Sequence, residues 1–345
     1  MAPTKGSILV TGTNGGLGSA IIQQILHKPS LAQNYHGLYT VRKVESANAA
    51  KKVLRGAGKA KHQYDLVSLD LSSLDSARKV AADINARVAS GDIPPIRTLI
   101  LAAAYQEHVD HDFTKDGFDM TFQSTYLSHF LLTLLLLQSM DKENGRIVVI
   151  GSWTHDTTDP RNKMGPYRTS YVPEEYHQIF NDPKGSTEAI AKGQWGVAAG
   201  QTNDPVAGMR RYGAAKLSQD PKLKNISVLG LDPAAMMSSL TRRSDIWILR
   251  FVLQHIGPLL APIATWLSPN GDVRTTWKSA GDVIHASFDT DGGLGEHPNG
   301  IYLNGSAISD VGPEAKDEAK CRRLWSDSLG YAGVKEGDTV LANWH

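Results

Sequence analysis

Residues 7–18 read SILVTGTNGGLG, an apolar run that leads directly into a glycine-rich turn. The run predicts a buried strand at Ser7–Val10, and the residues after the turn predict a helix at Ser19–His27. Gly12 permits a tight turn, Gly16 lets the backbone approach a pyrophosphate, and Gly18 allows close packing of helix on strand. The helix then offers unpaired N–H groups to the phosphates. We therefore predict a dinucleotide-binding turn here.

Short apolar runs alternate with helix-like stretches along the first two-thirds of the chain, a pattern typical of βαβ units. Further strands are predicted at residues 37–41, 64–70, 98–103, 146–150, 226–231 and 300–303. Helices are predicted at residues 46–54, 73–90 and 118–140, with the Leu131–Leu137 run packed in the core. The predicted fold class is α/β: a Rossmann-type doubly wound parallel sheet in a single NAD(P)-binding domain spanning residues 1–345.

Two segments interrupt this alternation. Residues 153–208 are long, polar and rich in Pro, Gly, Asn and Asp, which predicts an insertion or lid between strand five and the next helix. The aromatic side chains of this segment could line a substrate pocket or fill a small satellite core. Residues 241–298 are predicted to form a cap on the substrate side. Within it, Ile246–Leu267 predicts amphipathic helix pieces that cover a pocket, and peripheral membrane contact stays open.

Composition excludes several classes of function. The 345 residues carry 36 basic and 35 acidic side chains, so the formal charge of +1 does not suit a general nucleic-acid binder. The lone Cys321 cannot form an internal disulfide, and the polar residues before Ser7 do not resemble a signal peptide, so we expect a cytoplasmic protein. The 12 histidines show no metal-ligand spacing, and no metal is expected.

The second predicted strand ends in Tyr39-Thr40-Val41-Arg42-Lys43, without an acidic residue at its tip. An acid there would accept hydrogen bonds from the ribose of NAD and repel a 2′-phosphate, whereas a base does the reverse. Arg42 can pair with that phosphate through a planar, charge-assisted fork. The sequence therefore favours NADP (NADPH) as the cofactor.

Tyr212 and Lys216 are four residues apart, one turn along one helix face. A tyrosine has an ordinary pKa near 10, and a neighbouring ammonium group is expected to lower it so that the phenol can exchange protons at neutral pH. Ser152 follows the fifth strand, near the edge where open α/β sheets bind ligands. We predict that Ser152 holds a substrate carbonyl oxygen and that Tyr212 protonates it as a hydride arrives from the nicotinamide.

The T-G-x3-G-x-G turn, Ser152 and the Tyr212-x3-Lys216 pair together resemble the short-chain dehydrogenase/reductase family over nearly the whole chain. The sequence is most similar to the retinol-dehydrogenase and protochlorophyllide-reductase type, particularly fungal members with a long insertion between the serine and the tyrosine. This resemblance implies a hydrophobic small-molecule substrate, with secondary metabolism as an expected setting.

The resemblance also implies a set of cofactor contacts. Asp70 and Leu71 match the position that holds the adenine ring, Lys216 can bond the nicotinamide ribose, and Pro233 matches a segment that contacts nicotinamide. The expected cofactor-binding residues are Gly12, Thr13, Asn14, Gly16, Leu17, Gly18, Arg42, Asp70, Leu71, Ala102, Tyr212, Lys216 and Pro233.

Four departures from the family pattern stand out. The N-A-G segment after strand four is Ala102-Ala103-Ala104, which removes a side-chain amide that braces the strand. Thr125 replaces the catalytic asparagine of the long helix. Ala234 replaces a glycine, which is tolerable if its φ angle is negative. Only 17 positions separate Lys216 from Pro233, about ten fewer than the resemblance implies, so oligomerisation is left open.

Three functions remain open at this point. The first is an NADP-dependent oxidoreductase that interconverts a carbonyl and an alcohol on a hydrophobic small molecule. The second is a cofactor-binding sensor or scaffold without redox turnover, suggested by Thr125 and the shortened segment. The third is a non-redox isomerase or cyclase on the same fold. Substrate identity, reaction direction and stereochemistry do not follow from the sequence.

Overall fold

A computed structural model describes the chain in seven stretches. They are residues 4–107, 110–164, 168–180, 186–195, 205–217, 226–236 and 257–341.

An eight-stranded sheet runs through the described residues. Its strands are β1 (Gly6–Val10), β2 (Tyr35–Val41), β3 (Tyr64–Ser68), β4 (Ile96–Leu101), β5 (Arg146–Ile150), β6 (Ser227–Asp232), β9 (Ile301–Asn304) and β10 (Ala307–Ser309), in the order β10-β9-β6-β5-β4-β1-β2-β3. Neighbouring strands pair in parallel except for β9 and β10, which form an antiparallel edge. A separate pair joins β7 (Ala235–Met236) to β8 (Val273–Arg274). The predicted Rossmann-type α/β fold is therefore confirmed.

Helices cover both faces of the sheet. They are α1 (Gly16–His27), α2 (Pro29–Asn34), α3 (Asn48–Leu54), α4 (Ala57–Ala60), α5 (Leu74–Ala89), α6 (Met120–Phe122), α7 (Ser128–Leu136), α8 (Ser186–Ala191), α9 (Pro205–Leu217), α10 (Gly257–Leu267), α11 (Thr276–Phe288) and α12 (Glu318–Ala332). Strand β5 shows the division: Ile147 and Val149 pack in the core under α5 and α7, whereas Val148 and Ile150 pack under α1 and α11. Because both faces are covered, β1 and β5 are buried and apolar nearly throughout.

The predicted long helix is interrupted. A π turn at Gln123–Leu127 joins α6 to α7. The run Leu131–Leu137 is largely buried, so the prediction of core packing is confirmed. By length and composition Met120–Ser139 could cross a membrane, but 83% of its most apolar stretch is buried in the fold. The helix belongs to the core.

Several predicted boundaries shift for identifiable reasons. Strand β4 ends at Leu101 instead of Ala103, because the N–H groups of Ala102 and Ala103 donate to the Thr11 hydroxyl at 2.9 and 3.0 Å. Strand β3 ends at Ser68 instead of Asp70, whose carboxylate accepts from the Ser72 N–H at 3.0 Å and closes a turn. The edge strand β10 was not predicted, because its three residues are all exposed and form no apolar run.

The predicted insertion, residues 153–208, is tied to the core where the structure describes it. Tyr171, Tyr176 and Trp195 are buried in the hydrophobic core, so these aromatic side chains fill a core. Tyr167 lies outside the described residues. The carboxylate of Glu314 accepts from the N–H groups of Ile179 and Phe180 at 2.6 and 3.0 Å, which fastens the insertion to the C-terminal part of the chain.

The described part of the predicted cap departs from expectation. Helix α10 buries Ala261 but leaves Leu259 73% exposed and Trp266 80% exposed. It contains no charged side chain, so it is apolar on its exposed face rather than amphipathic. Residues 241–256 of the predicted cap lie outside the described chain.

Candidate active site

The glycine turn between β1 and α1 allows two close backbone approaches. Gly12 has a φ of +71°, and a Cβ on it would lie 2.8 Å from the Cα of Ala103. A Cβ on Gly18 would lie 2.5 Å from the carbonyl oxygen of Gly12. A side chain at either position would therefore displace backbone, as predicted for a tight turn and a closely packed helix.

The two polar side chains of this turn, those of Thr13 and Asn14, form hydrogen bonds with neighbouring elements of the fold. The Thr13 hydroxyl donates to the carbonyl oxygen of Thr40 at 2.9 Å and is fully buried. The Asn14 side-chain oxygen accepts from Ala49 N–H at 2.9 Å, at the start of α3. Thr13 thus links the turn to β2 and Asn14 links it to α3, structural roles in addition to the predicted cofactor contacts.

A cavity of 430 Å³ opens over this turn at the carboxyl ends of the parallel strands. Of the predicted residues, it is lined by Gly12, Asn14, Gly16, Leu17, Gly18, Arg42, Leu71, Ala102, Tyr212, Lys216 and Pro233. Thr13, Asp70 and Ser152 are not part of this lining. The lining residues that sequence reasoning missed are Gly15, Thr40, Val41, Lys43, Ser46, Leu69, Ser72, Ala103, Ala104, Tyr105, Gln106, Ser124, Ile150, Gly151 and Met236. Most of them neighbour a predicted residue, so strand-end position could have identified them.

The cavity suits a nicotinamide dinucleotide. The backbone of Gly15, Gly16 and Leu17 lines it, and the N-terminus of α1, which has no side-chain cap, faces it with N–H groups. Arg42 and Lys43 place two cations at the end of β2, beside the Ser46 hydroxyl. Such a set of donors can hold phosphate groups.

Helix α9 brings Tyr212 and Lys216 to the opposite end of this cavity, and both side chains are buried. The Lys216 ammonium donates to the carbonyl oxygen of Ile150 at 2.6 Å and lies 5.5 Å from the centre of the Tyr212 ring. Burial lowers the pKa of Lys216 to about 7. Lys216 is therefore only partly charged at neutral pH.

The expected lowering of the tyrosine pKa is wrong for this structure. Burial raises the pKa of Tyr212, and the nearby carboxylate of Asp232 raises it further. Burial disfavours the charged phenolate, and the partly neutral Lys216 offsets little of that effect. Tyr212 is consequently a protonated phenol at neutral pH, the form that can donate a proton.

Ser152 begins the 3₁₀ turn Trp153–His155, and α9 packs against that turn. The Ser152 oxygen accepts from the Thr154 hydroxyl at 2.9 Å. The hydroxyl of Tyr171 donates to the carbonyl oxygen of Thr154 at 2.9 Å. The turn is thereby held against the helix that carries Tyr212.

Gly213 makes this packing possible. A Cβ on Gly213 would lie 2.2 Å from the Tyr171 hydroxyl and 2.4 Å from the carbonyl oxygen of Thr154. The glycine next to Tyr212 therefore lets the insertion and the Ser152 turn approach α9, and it has no counterpart among the predicted site residues.

Thr125 lies in the π turn, and its hydroxyl bonds the backbone of Tyr105 twice, accepting from the N–H at 3.1 Å and donating to the carbonyl at 3.2 Å. A π turn inside an α-helix often marks a functional site. Here it aims Thr125 at the loop after β4, which lines the cavity.

The buried His129 links this π turn to the end of β4. Its Nδ1 lies 3.0 Å from the carbonyl oxygen of Thr125, and its Nε2 lies 3.0 Å from the Thr11 hydroxyl. That hydroxyl already accepts from two backbone N–H groups, so its hydrogen points at Nε2 and Nδ1 carries the ring proton. Burial lowers the pKa of His129 to about 4, which keeps the imidazole neutral. Thr11 and His129 thus brace the strand end at Ala102 and Ala103, where the family amide is missing.

The condition under which an alanine is tolerable at position 234, a negative φ angle, is not met. The φ angle of Ala234 is +61°, in the left-handed region where an alanine is strained. The Asp232 carboxylate accepts from the Ala234 N–H at 2.8 Å and helps to hold this conformation. Residues 218–225, most of the short segment between Lys216 and Pro233, lie outside the described chain.

Fold and site together define a nucleotide-binding α/β oxidoreductase architecture. A family model described as short chain dehydrogenase matches residues 7–170. A short-chain dehydrogenase of Talaromyces variabilis, iccH, is 54% identical over 364 aligned positions that cover 99% of each chain. The chain therefore belongs to the short-chain dehydrogenase/reductase family of oxidoreductases.

More distant relatives agree with the predicted type. Human retinol dehydrogenase 13 is 26% identical, with 95% of this chain and 85% of the relative aligned. Chloroplastic protochlorophyllide reductase of Pisum sativum is 31% identical over 47% of this chain and 39% of its own length. The NADPH-bound carbonyl reductase from chicken fatty liver superposes with a TM-score of 0.51 at 15% identity, covering 90% of this chain and 100% of that one, which shows the shared fold.

Proposed function

We propose that the protein is an NADP-dependent oxidoreductase that interconverts a carbonyl and an alcohol on a hydrophobic small molecule. The observation that carries this proposal is the position of Tyr212 and Lys216 in the same cavity as the glycine turn and Arg42. One cavity thereby joins a proton donor to a phosphate-binding cradle.

Tyr212, Lys216 and Ser152 each have a separate role in this reaction. A bound NADPH supplies the hydride. Tyr212, a protonated phenol, donates a proton to the substrate carbonyl oxygen, and the carbonyl group is thereby reduced to a hydroxyl group. Lys216 lies beside the Tyr212 ring and is fixed by the Ile150 carbonyl, from where it can bond the nicotinamide ribose. Ser152 lies next to the cavity-lining Gly151, and we assign its hydroxyl to hold the substrate carbonyl oxygen.

The preference for NADP rests on Arg42 and Lys43. Arg42 is exposed at the cavity rim and can form a bidentate pair with a 2′-phosphate. The NADPH named for the chicken-liver structure accords with this assignment. We place the adenine ring of the cofactor against Leu69 and Leu71, which line the same cavity. Asp70 supports this segment by accepting a hydrogen bond from Ser72.

Apolar side chains at the other end of the cavity favour a hydrophobic substrate. Ile150 and Met236 line it, and Met236 belongs to β7, which pairs with β8, the strand that follows the apolar helix α10 in the chain. We assign residues 153–208 and 241–298 to the substrate side as insertion and cap. We also propose a cytoplasmic setting, since Cys321 requires no oxidising compartment, and a substrate from secondary metabolism.

The test measures oxidation of NADPH and of NADH with a panel of aryl and alicyclic ketones. Wild-type protein is expected to prefer NADPH, and Arg42→Asp is expected to lower the NADPH/NADH ratio of kcat/KM by about 100-fold, because a charge-assisted pair becomes a repulsion. Arg55→Asp makes the same charge change at an exposed residue after α3 and is the control. NADPH binding without turnover of any ketone would reject this function in favour of a cofactor-binding protein.

A further inference from the structure

A buried ion pair and a buried phenol hydroxyl lie near the carboxyl ends of β5 and β6. Nη1 of Arg161 and Oδ2 of Asp232 form the ion pair at 3.1 Å, whereas the hydroxyl oxygen of Tyr302 has no hydrogen bond to the described residues. Buried polar groups are nearly always hydrogen-bonded, so an unpaired phenol hydroxyl next to a buried ion pair indicates a site for a polar group. We call Arg161, Asp232 and Tyr302 the polar cluster.

Asp232 and Arg161 are held in place by their other atoms. Asp232 ends β6 immediately before the cavity-lining Pro233, and its Oδ2 lies 3.1 Å from Nη1 of Arg161. The Nε and Nη2 atoms of Arg161 donate to Asp159 at 2.9 and 2.6 Å. The guanidinium carbon lies 4.8 Å from the centre of the Trp153 ring. Nη1 is therefore fixed by the insertion and directed at Asp232.

Tyr302 reaches the same place from β9, where it pairs in register with Gly230 of β6. A Cβ on Gly230 would lie 2.7 Å from the Tyr302 ring, and a Cβ on Gly151 would lie 2.9 Å from its hydroxyl oxygen. Both glycines leave room for the ring to cross β6 and bring the hydroxyl to the end of β5. Gly151 lines the cavity and precedes Ser152, so the hydroxyl lies at the border of the reaction site.

The electrostatics agree with this placement. Burial raises the pKa of Tyr302, Asp232 raises it further, and Arg161 lowers it. Tyr212 raises it as well. Tyr302 keeps its proton at neutral pH and can donate a hydrogen bond, whereas the Asp232 carboxylate can accept one.

We propose that the polar cluster binds a hydroxyl group of the substrate, separate from the carbonyl that reacts at Tyr212. The Tyr302 hydroxyl donates to the oxygen of that group, and the Asp232 carboxylate accepts its hydrogen. A site built to bond a hydroxyl group rejects an analogue that lacks it, because its own polar atoms are then left unpaired. The proposal rests on the proposed carbonyl reduction and narrows the substrate class to hydroxylated hydrophobic ketones.

The test compares 1-tetralone with its monohydroxylated ring isomers as ketones. Wild-type protein is expected to reduce at least one hydroxylated isomer with kcat/KM about tenfold above that of 1-tetralone. Tyr302→Phe removes a hydroxyl without taking a partner from any described residue, so it is expected to fold normally, lose this tenfold preference and keep wild-type activity on 1-tetralone. Tyr64→Phe makes the same change on the outer strand β3 and is the matched control.

A second readout does not depend on turnover. With NADPH present, the hydroxylated isomers are expected to raise the Tm of wild-type protein more than that of Tyr302→Phe, because a ligand stabilises the state that binds it. If no ketone is reduced but this difference in Tm appears, the proposed function fails and the polar cluster still binds hydroxyl groups. Equal preference and equal Tm shifts in both proteins, or no shift with any isomer, would overturn the proposal.

Discussion

The two ends of the cavity are built in different ways. At the cofactor end, Gly12 and Gly18 belong to one short turn, and the missing side chains let backbone segments approach each other. At the substrate end, Ser152, Tyr212, Asp232 and Tyr302 come from four distant segments, held together by the insertion. The first end depends on space left by adjacent residues, and the second on contacts between parts of the chain far apart in sequence. Variants can therefore separate the two ends.

The largest expected effect is at the substrate end. Tyr212→Phe removes the proton donor but leaves the contact of Lys216 with Ile150, so kcat should fall by about 10³-fold while the dissociation constant of NADPH stays within twofold. Steady-state kinetics and fluorescence titration of NADPH measure the two quantities. Wild-type kcat in this variant would contradict the assignment, and Tyr64→Phe controls for the loss of a phenol hydroxyl elsewhere.

His129 braces the cofactor end through Thr11, and its effect on stability should depend on pH. The pKa of His129 is lowered from 6.5 to about 4 in the folded protein, so between these values the unfolded chain binds the proton and the folded chain does not. The contribution of His129 is therefore complete above pH 6.5 and is lost as the pH falls towards 4. The stability difference between wild type and His129→Gln should shift by about 3 kcal/mol in favour of the variant over that range.

Chemical denaturation at pH 7, 5.5 and 4 measures this shift, and the subtraction removes the contributions of groups common to both proteins. A difference that stays constant with pH would show that His129 titrates as an ordinary histidine.

Two glycine substitutions distinguish the ends directly. Gly12→Ala strains a positive φ and displaces the Ala103 backbone, so it should cost about 2–3 kcal/mol of stability and weaken NADPH binding at least tenfold. Gly213→Ala displaces Thr154 and Tyr171 instead, so kcat/KM for the ketone should fall while NADPH binding is kept. The same loss of NADPH affinity in both variants would refute the separation.

The smallest effect is expected at Ala234. Ala234→Gly relieves the left-handed φ and should raise the free energy of unfolding by about 0.5–1 kcal/mol. Ala89→Gly, at the end of helix α5, should lower it instead. Thermal unfolding of both variants and the wild type measures these changes. A Tm of Ala234→Gly below that of the wild type would show that Ala234 is not strained.

The cofactor end was largely predictable because its signals are local. The spacing of Gly12, Gly16 and Gly18 and the basic end of β2 fall within single elements, and all of these glycines line the cavity. Thr13 and Asp70 were assigned to the cofactor by their position, but their side chains bond the neighbouring backbone and the Ser72 turn. Position along a strand end does not reveal which way a short polar side chain bonds.

The substrate end was predictable only in part. Ser152, Tyr212 and Lys216 were found by their chemistry, whereas the ion pair of Arg161 with Asp232 and the position of Tyr302 beside β6 carry no local signal, because each joins segments distant in sequence. The same reason explains why the brace at Thr11 and His129 was missed: 118 positions separate the two residues. The φ angle of Ala234 could not be predicted, because a sequence favours negative angles at alanine, whereas this residue has a φ of +61°.

The carboxylate of Glu314 accepts from the backbone of Ile179 and Phe180, so the C-terminal part of the chain supports the insertion beside the reaction site. Glu314→Ala would untether the insertion while leaving the nucleotide cradle and the core helix α12 whole. The variant should thus retain NADPH on an affinity resin yet fail as a catalyst.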